Sequence, residues 1–315
     1  MRTVDTGSAG DWPGRLLAAL GAGAAAGVAL TAYAAWEARQ YTLRHATVPV
    51  LPDGADPLRV LHLSDLHVTP AQRRKLDWLR GLADLDPDLV ITTGDFLAHE
   101  EAVEPVLGAY DELLERPGVF VFGSNDYFAP QLKNPLRYLM PDDGRRSIDA
   151  PPLPWPDLQA GLAKRGWREL TNARDELMVA GLRIAFAGVD DPHLGYDRLD
   201  LVAGPADPSA DLRLAVTHAP YLRVLDQFAA DGYDAIIAGH THGGQVCLPF
   251  AGALTTNCDL DNARAKGLHR HPADSGAGDP GSAWLHVSAG VGTSPYARIR
   301  VACRPEATLL TLTPR

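Results

Sequence analysis

Two histidines one residue apart, His240 and His242, close an apolar run in AIIAGHTHGGQ, with glycine on both sides. In extended backbone, residues i and i+2 point the same way, whereas on a helix they do not share a face. The pair can therefore aim at one point, and the glycines let the chain turn sharply around it. The same arrangement recurs along the chain. LRVLHLSDLH places Asp65 and His67 at the same spacing, and PDLVITTGD stops at Asp95. GVFVFGSND ends in Ser124, Asn125 and Asp126, and LRLAVTHAP brings His218. Any one of these is ordinarily a turn or a satisfied polar group. Imidazoles and carboxylates gathered at the ends of five successive apolar runs point instead to divalent-metal chemistry, with Mn, Fe or Zn suited better than Ca.

The elements that must position these groups alternate. Apolar runs of strand length follow Leu58, Asp88, Gly118, Asp211 and Tyr233. QRRKLDWLRGL, EAVEPVLGAYDELLE, PDLQAGLAKRG and the stretch around Leu222, Leu225 and Phe228 carry apolar residues at helical spacing. ELMVAGLRIAFAGV reads as a hairpin turning at Ala180-Gly181, and AWLHVSAG and ATLLTLT read as closing strands. The alternation implies a layered α/β fold with mixed sheets and ligands gathered beyond the carboxyl ends of the strands. Residues 129–157 break the rhythm as a proline-rich insertion, either a cover or a surface excursion, and residues 256–282 read as a long polar loop.

Composition sets the boundaries. In 315 residues, 46 % are hydrophobic and the formal net charge is −10, so a large core is available and a nucleic-acid partner is not expected. Cys247, Cys258 and Cys303 form neither an even set nor a CxxC pair, which argues against a disulfide framework or cysteine-based zinc. The N-terminal segment, 1–43, holds an uncharged stretch over about 16–36, LLAALGAGAAAGVALTAYAAW. Its length fits one membrane-spanning helix, and a single membrane anchor is the favoured reading. Ala32-Tyr33-Ala34 also fits signal cleavage and export, and an Ala-rich soluble helix fits as well. Arg2 and Arg15 before the stretch balance Arg39 and Arg44 after it, so charge does not set the side of the membrane. Pro49, Pro52 and Pro57 mark 44–57 as a linker, and 58–315 as the main domain.

SDLH, TTGD, THAP and AGHTHGGQV, in this order, resemble the signature of the calcineurin-like metallophosphoesterases. The likeness continues through GLHR and SAGVGTSPYARIRVACRPEATLLTL, and with the N-terminal apolar stretch it is similar to the membrane-associated bacterial branch. That branch includes cell-wall phosphodiesterases and UDP-diacylglucosamine pyrophosphatases. The resemblance implies a four-layer α/β/β/α sandwich of two mixed sheets flanked by helices, preceded here by the N-terminal hydrophobic helix. It implies two divalent ions, with Asp65, His67 and His242 on the first, Asp95 bridging, and Asn125, His218 and His240 on the second. Paired ions of this kind acidify a water and clamp both the attacking and the leaving oxygens.

One motif departs from the family pattern. Where the family shows Gly-Asn-His followed by an acidic residue, this chain has GSNDY. Without a gap, Ser124 takes the asparagine's place and Asn125 the histidine's. With a one-residue shift, Asn125 is the ligand and Asp126 stands where the histidine was. Asn125 is favoured as ligand, since an amide oxygen is the better neutral donor, and Asn125 and Asp126 are the catalytic candidates. The usual histidine is absent, so His193, the leaving group or the metals must carry its work. The expected function is a metal-dependent phosphodiesterase or pyrophosphatase, acting on a phosphate ester of lipid-linked or envelope origin. The alternative is a non-catalytic binding module of the same fold, opposed by the survival of the other donors. Asp190 and Asp191 read as turn residues, His62 as a core histidine, Arg145 and Arg146 as solvated, and Tyr296 and Arg298 as bordering the substrate pocket.

Overall fold

The computed structural model describes residues 12–132, 148–248 and 250–315. Helix α1 (Trp12–Glu37) leads into β1 (Thr42–Leu51) and β2 (Leu58–Leu63). Then follow α2 (Arg73–Arg80), β3 (Leu89–Thr93), α3 (Val103–Tyr110), β4 (Gly118–Val121), α4 (Ser124–Tyr127), α5 (Trp155–Lys164) and β5 (Arg168–Glu169). The second half holds β6 (Ala173–Val179), β7 (Leu182–Gly188), α6 (Leu199–Val202), β8 (Leu212–Val216), α7 (Leu222–Ala230) and β9 (Ala235–Ala238). It ends with the short pair β10 (Cys247–Leu248) and β11 (Gly252–Ala253), then β12 (Gly267–His271), β13 (Ala283–Val287) and β14 (Glu306–Pro314).

Two six-stranded sheets result, ordered β1-β14-β2-β3-β4-β5 and β12-β13-β9-β8-β7-β6. Strands β2 to β5 run parallel, as do β13, β9, β8 and β7, while β14 against β2, β12 against β13 and β6 against β7 are antiparallel. Each sheet is apolar on both faces because each face is covered. Val60, Ile91 and Val119 of one sheet meet Ile184, Leu214 and Ile237 of the other. Leu61, Val90 and Phe120 pack outward on Leu76, Leu79, Val106 and Leu158 of α2, α3 and α5. Ala215, Ile236 and Leu285 pack on Val224, Leu225 and Phe228 of α7. The layers are thus helix, sheet, sheet, helix, the expected sandwich. Its parallel strands β2, β3, β4, β8 and β9 deliver their donors at one rim of the two sheets.

Two stretches differ from expectation. The linker expected at 44–57 is largely strand: β1 pairs in parallel with β14, from Thr42 opposite Glu306 to Thr47 opposite Thr311 and beyond. Three prolines hide it in the sequence. At a sheet edge, however, the amide that Pro49 lacks is not needed by the ladder. Within the loop expected at 256–282, residues Gly267–His271 form β12, a half-exposed edge strand without an apolar run to announce it. Of the insertion at 129–157, residues 133–147, and with them Arg145 and Arg146, lie outside the described residues. Its described flanks bridge Phe128 to Pro152, and α5 already begins at Trp155.

In α1, the segment Arg15–Glu37 is long and apolar enough to cross a membrane. Most of it is exposed, but its last turn docks. Ala34 and Glu37 are buried. The Glu37 carboxylate accepts the amides of Ala302 at 3.2 Å and Cys303 at 2.9 Å, and the Arg300 amide donates to the Ala34 carbonyl at 3.0 Å.

Candidate metal centre

The loops after β2, β3 and β9 bring Asp65, His67, Asp95 and His242 together, with ligand atoms all within 4.8 Å of one another. Nε2 of His67 and Nε2 of His242 face each other at 3.1 Å. His242 Nε2 lies 3.6 Å from Asp65 Oδ1, and His67 Nε2 lies 3.4 Å from Asp95 Oδ2. On the other side of Asp95, His218 Nε2 stands 3.7 Å from Oδ2, and His240 Nδ1 is 3.3 Å from His218 Nε2. Asn125 donates its backbone amide to Asp95 Oδ1 at 2.7 Å and its side-chain amide to Oδ2 at 2.8 Å. Asp95 therefore stands between two groups of donors. All line an open cleft of about 100 Å³ except Asp65 and His218, which are wholly buried; Ser124, His193, Gln245, Asn257 and Ser294 are among its other polar lining residues, and Phe128 to Gln131 and Leu194 also line it.

The backbone turns hard to achieve this. Asp65, His67, Asp95, His240 and His242 all adopt positive φ, from 44° to 69°. Gly123 leaves room: a Cβ there would fall 2.4 Å from Asp95 Oδ1 and 2.7 Å from His218 Nε2. At Gly239 it would fall 1.8 Å from Ser64 Oγ.

Neighbouring groups orient the donors. Ser64 Oγ and the His240 amide engage Asp65 Oδ2 at 2.5 and 3.0 Å, leaving Oδ1 buried and without a hydrogen-bond partner. His218 Nδ1 lies 2.6 Å from the Thr93 carbonyl. A carbonyl only accepts, so Nδ1 carries a proton, and Nε2 is the ring atom turned toward Asp95. Arg300 is wholly buried behind His242. Its Nη2 donates to the carbonyls of Ala289, Gly290 and Gly292 at 2.7, 3.1 and 2.7 Å and lies 3.3 Å from His242 Nδ1. His62 is in the core as read. It lies 2.9 Å from the His286 ring and 3.0 Å from Thr93 Oγ1, which in turn donates to Ser64 Oγ at 2.6 Å, so a buried chain ends on Asp65.

Burial dominates the electrostatics. It pushes the Asp65 carboxyl up to about 6 and the His67 imidazole down to about 4, and it holds His242 well below the usual histidine range. His67 and His242 are thus neutral, with nitrogens facing each other across 3.1 Å. For Asp95, burial pushes up, but His218 and His67 outweigh it and the net shift is downward. For His218, burial pushes down and Asp95, Asp191 and Asp65 outweigh it, bringing it up to about 9. An orphaned buried carboxylate oxygen, neutral imidazoles and a shared carboxylate are the donor chemistry of a borderline divalent ion.

Three sequence candidates sit elsewhere. Asp126 does not face the cleft. Its wholly buried carboxylate accepts four backbone amides, Asp95 at 2.8 Å and Gly123 at 2.9 Å on Oδ2, Phe96 at 2.7 Å and Leu97 at 3.2 Å on Oδ1. Both oxygens are committed to fixing the loops that carry Asp95 and Gly123, so the geometry corrects its reading as a catalytic group. Burial and then the charge of Asp95 push it up to about 8, while the amides pull the other way. Tyr296 is exposed, and Arg298 lines a different cavity, beside the end of α1. Asp191 accepts the His193 amide at 2.8 Å and Asp190 accepts the Tyr127 hydroxyl at 2.8 Å, both turn and loop roles as read.

Residues 58–244 match the family model described as calcineurin-like phosphoesterase. This chain belongs to the calcineurin-like phosphoesterase family. It is accordingly a hydrolase of phosphate esters, and the family works with divalent metals. Among curated relatives, this phosphoesterase is 27% identical over 256 residues to the uncharacterized metallophosphoesterase YkoQ of Bacillus subtilis, covering 80% of this chain and 82% of that one. It is 24% identical over 267 residues to the phosphodiesterase YaeI of Escherichia coli, covering 82% and 84%. It is 26% identical over 294 residues to the UDP-2,3-diacylglucosamine pyrophosphatase LpxG of Chlamydia trachomatis, covering 80% and 83%. Arg300, Ser64 and Thr93 of this phosphoesterase escape sequence reasoning. Serine, threonine and arginine carry no spacing signal, and only the fold brings them behind the ligands.

Proposed function

We propose that this chain is a two-metal phosphodiesterase or pyrophosphatase held at a membrane by α1, with the body from β1 onward as its catalytic unit. The observation that carries the reading is Asp95, set between Asp65, His67 and His242 on one side and Asn125, His218 and His240 on the other. The first group would hold one divalent ion and the second another, with Asp95 common to both and Mn, Fe or Zn suited to the donors. The ions supply Lewis acidity for water and charge neutralisation for the phosphoryl oxygens. The chain's own residues do the rest. Ser64 and the His240 amide fix Asp65, the Thr93 carbonyl fixes His218, and Asp126 fixes the turn at Asp95. Asn125 remains the favoured ligand in its motif, with Ser124 beside it in the cleft wall.

His193 is the group we assign to the leaving oxygen. It lines the cleft, its ring lies 4.5 Å from that of His240, and the Tyr221 hydroxyl is 3.2 Å from its Nδ1. The phosphodiesterase and pyrophosphatase relatives support cleavage of a diester or anhydride, and α1 supports a lipid-linked or envelope-derived substrate. The hydrogen bond from the Arg300 amide to Ala34 supports an α1 retained on the body, with export after cleavage near Ala34 as the alternative.

The test uses the full-length protein in detergent, stripped and reloaded with Mn, on bis-(p-nitrophenyl) phosphate and the corresponding monoester, beside Asp95→Asn and His193→Ala. Metal-dependent diester cleavage is expected. Asp95→Asn should lose metal and turnover. His193→Ala should lose about 10²–10⁴-fold in rate on a poor leaving group and little on nitrophenolate. A metal-free protein without turnover would leave the binding-module reading standing instead.

A further inference from the structure

A second cavity, of about 350 Å³, opens where α1 meets the body, with Val291–Thr293 in its lining. Arg39 lines it from the chain just past α1, Arg73 and Arg74 line it from the start of α2, and Arg298 lines it from the loop before Arg300. No acidic residue lines it. In a chain of net charge −10, four guanidinium groups without a carboxylate among them are an exception. Arg80, Arg165, Arg213 and Arg223 pair with acids, whereas among the described residues none of the four lining the cavity enters an ion pair. All four are exposed. Lys75, beneath them, is buried and spends its ammonium on the carbonyls of Leu66 and His67.

The cavity sits at a defined height. Tyr33 and Trp36 are exposed near the end of α1 with rings 5.8 Å apart, and aromatic residues in such a place mark a membrane–water boundary. Arg39 follows three residues later, in the turn just past the end of α1. The loop carrying Arg298 is held to this level by the hydrogen bond from the Arg300 amide to Ala34, and it exposes Tyr296 and Ile299 beside it. With α1 across a membrane, the unpaired arginines would stand in the layer that lipid phosphates occupy.

We infer that this cavity binds the phosphodiester headgroup of an anionic phospholipid in the leaflet that α1 enters, an inference that rests on the membrane reading of α1. A planar guanidinium matches two phosphate oxygens at once, and the exposed apolar side chains of Tyr296, Ile299 and Trp36 suit the adjoining glycerol and acyl chains. The site is separate from the metal cleft: the two have no lining residue in common, and Ser294 of the cleft wall follows Thr293 of the cavity in the chain. Shared phosphate chemistry makes a free phosphate the rival occupant.

The test is native mass spectrometry of the full-length protein released from detergent after incubation with an equimolar mixture of phosphatidylglycerol and phosphatidylcholine. Retention of phosphatidylglycerol over phosphatidylcholine is expected, undiminished by excess inorganic phosphate. Arg73→Glu, Arg74→Glu and Arg298→Glu together should cut the retained lipid at least tenfold while leaving metal uptake intact, and Lys164→Glu, exposed on α5 away from the cavity, should change nothing. If the triple variant does not fold, Arg73→Glu and Arg298→Glu are read singly by the same loss. Equal retention of both lipids, retention unchanged by charge reversal, or displacement by phosphate alone would overturn the proposal, the last pointing to a soluble phosphate ester. Washing native membranes with alkaline carbonate is the separate arm. Release of the protein there would sink the anchor reading while leaving the headgroup preference in detergent to stand or fall by itself.

Discussion

Replacing Asp126 by alanine distinguishes a brace from a catalyst. In the folded protein its two carboxylate oxygens accept the amides of Asp95, Phe96, Leu97 and Gly123, and the residue is wholly buried. Alanine leaves four buried donors without partners, whatever charge the carboxyl carries. At about 1 kcal/mol for each bond lost and more for each donor left dry, the cost is about 4 kcal/mol or more. That is a large share of the roughly 5–15 kcal/mol that holds a domain folded, and it corresponds to a fall of about 6 °C in melting temperature for a chain of this size. The loops concerned carry Asp95 and Gly123, so Mn uptake should weaken in parallel. The assay is thermal unfolding of the metal-free full-length protein in detergent, with Mn stoichiometry measured below the transition. A variant with the parent's melting temperature and two bound ions, but no turnover, would refute the bracing role and return Asp126 to the reaction.

Three further outcomes follow from the site. Gly123→Ala places a methyl 2.4 Å from Asp95 Oδ1 and 2.7 Å from His218 Nε2; it should cost about 1–3 kcal/mol as an overpacked site and, by metal titration, lose the ion shared by Asp95 and His218 before the other. Metal binding should release protons. His218, held up at about 9, is protonated at neutral pH and must lose that proton to coordinate, so affinity rises with pH and levels off above about 9; calorimetry in buffers of different ionisation enthalpy reads the proton count, and a count of zero at neutral pH would contradict the His218 assignment. Arg300→Lys cannot span the carbonyls of Ala289, Gly290 and Gly292, and should lower stability by about 3 kcal/mol with weaker metal retention through His242, read by denaturant unfolding and by Mn content.

The sequence disclosed what has a period or a sharp stop. Asp65, His67, Asp95, His218, His240 and His242 were legible because each follows an apolar run that parallel strands buried on both faces must have. β1 was not, since Pro49 interrupts it and Pro52 follows it at once, and only its place at the sheet edge excuses Pro49. β12 was not, since an exposed edge strand in a glycine-rich stretch carries no apolar signature. The role of Asp126 needed the fold for a different reason. In sequence it stands beside Asn125 as an equal candidate, and only the turn of α4 sends one side chain into the cleft wall and the other under the floor. Arg300 lies in a stretch whose overall likeness to the family was visible, yet nothing in ARIRVA separates a buried arginine from an exposed one.

The positive φ angles at Asp65, His67, Asp95, His240 and His242 set activity against durability. Residues other than glycine pay about 1–2 kcal/mol in the left-handed region, and here five of the metal-binding candidates sit in it. Glycine would relax each corner and abolish its donor at the same stroke. Selection for catalysis is then what keeps these positions from drifting to glycine, and a descendant released from that selection would gain thermal tolerance as it discarded its ligands. In such a lineage an unusually robust apo fold with glycines at these corners would be the molecular fossil of a lost hydrolase.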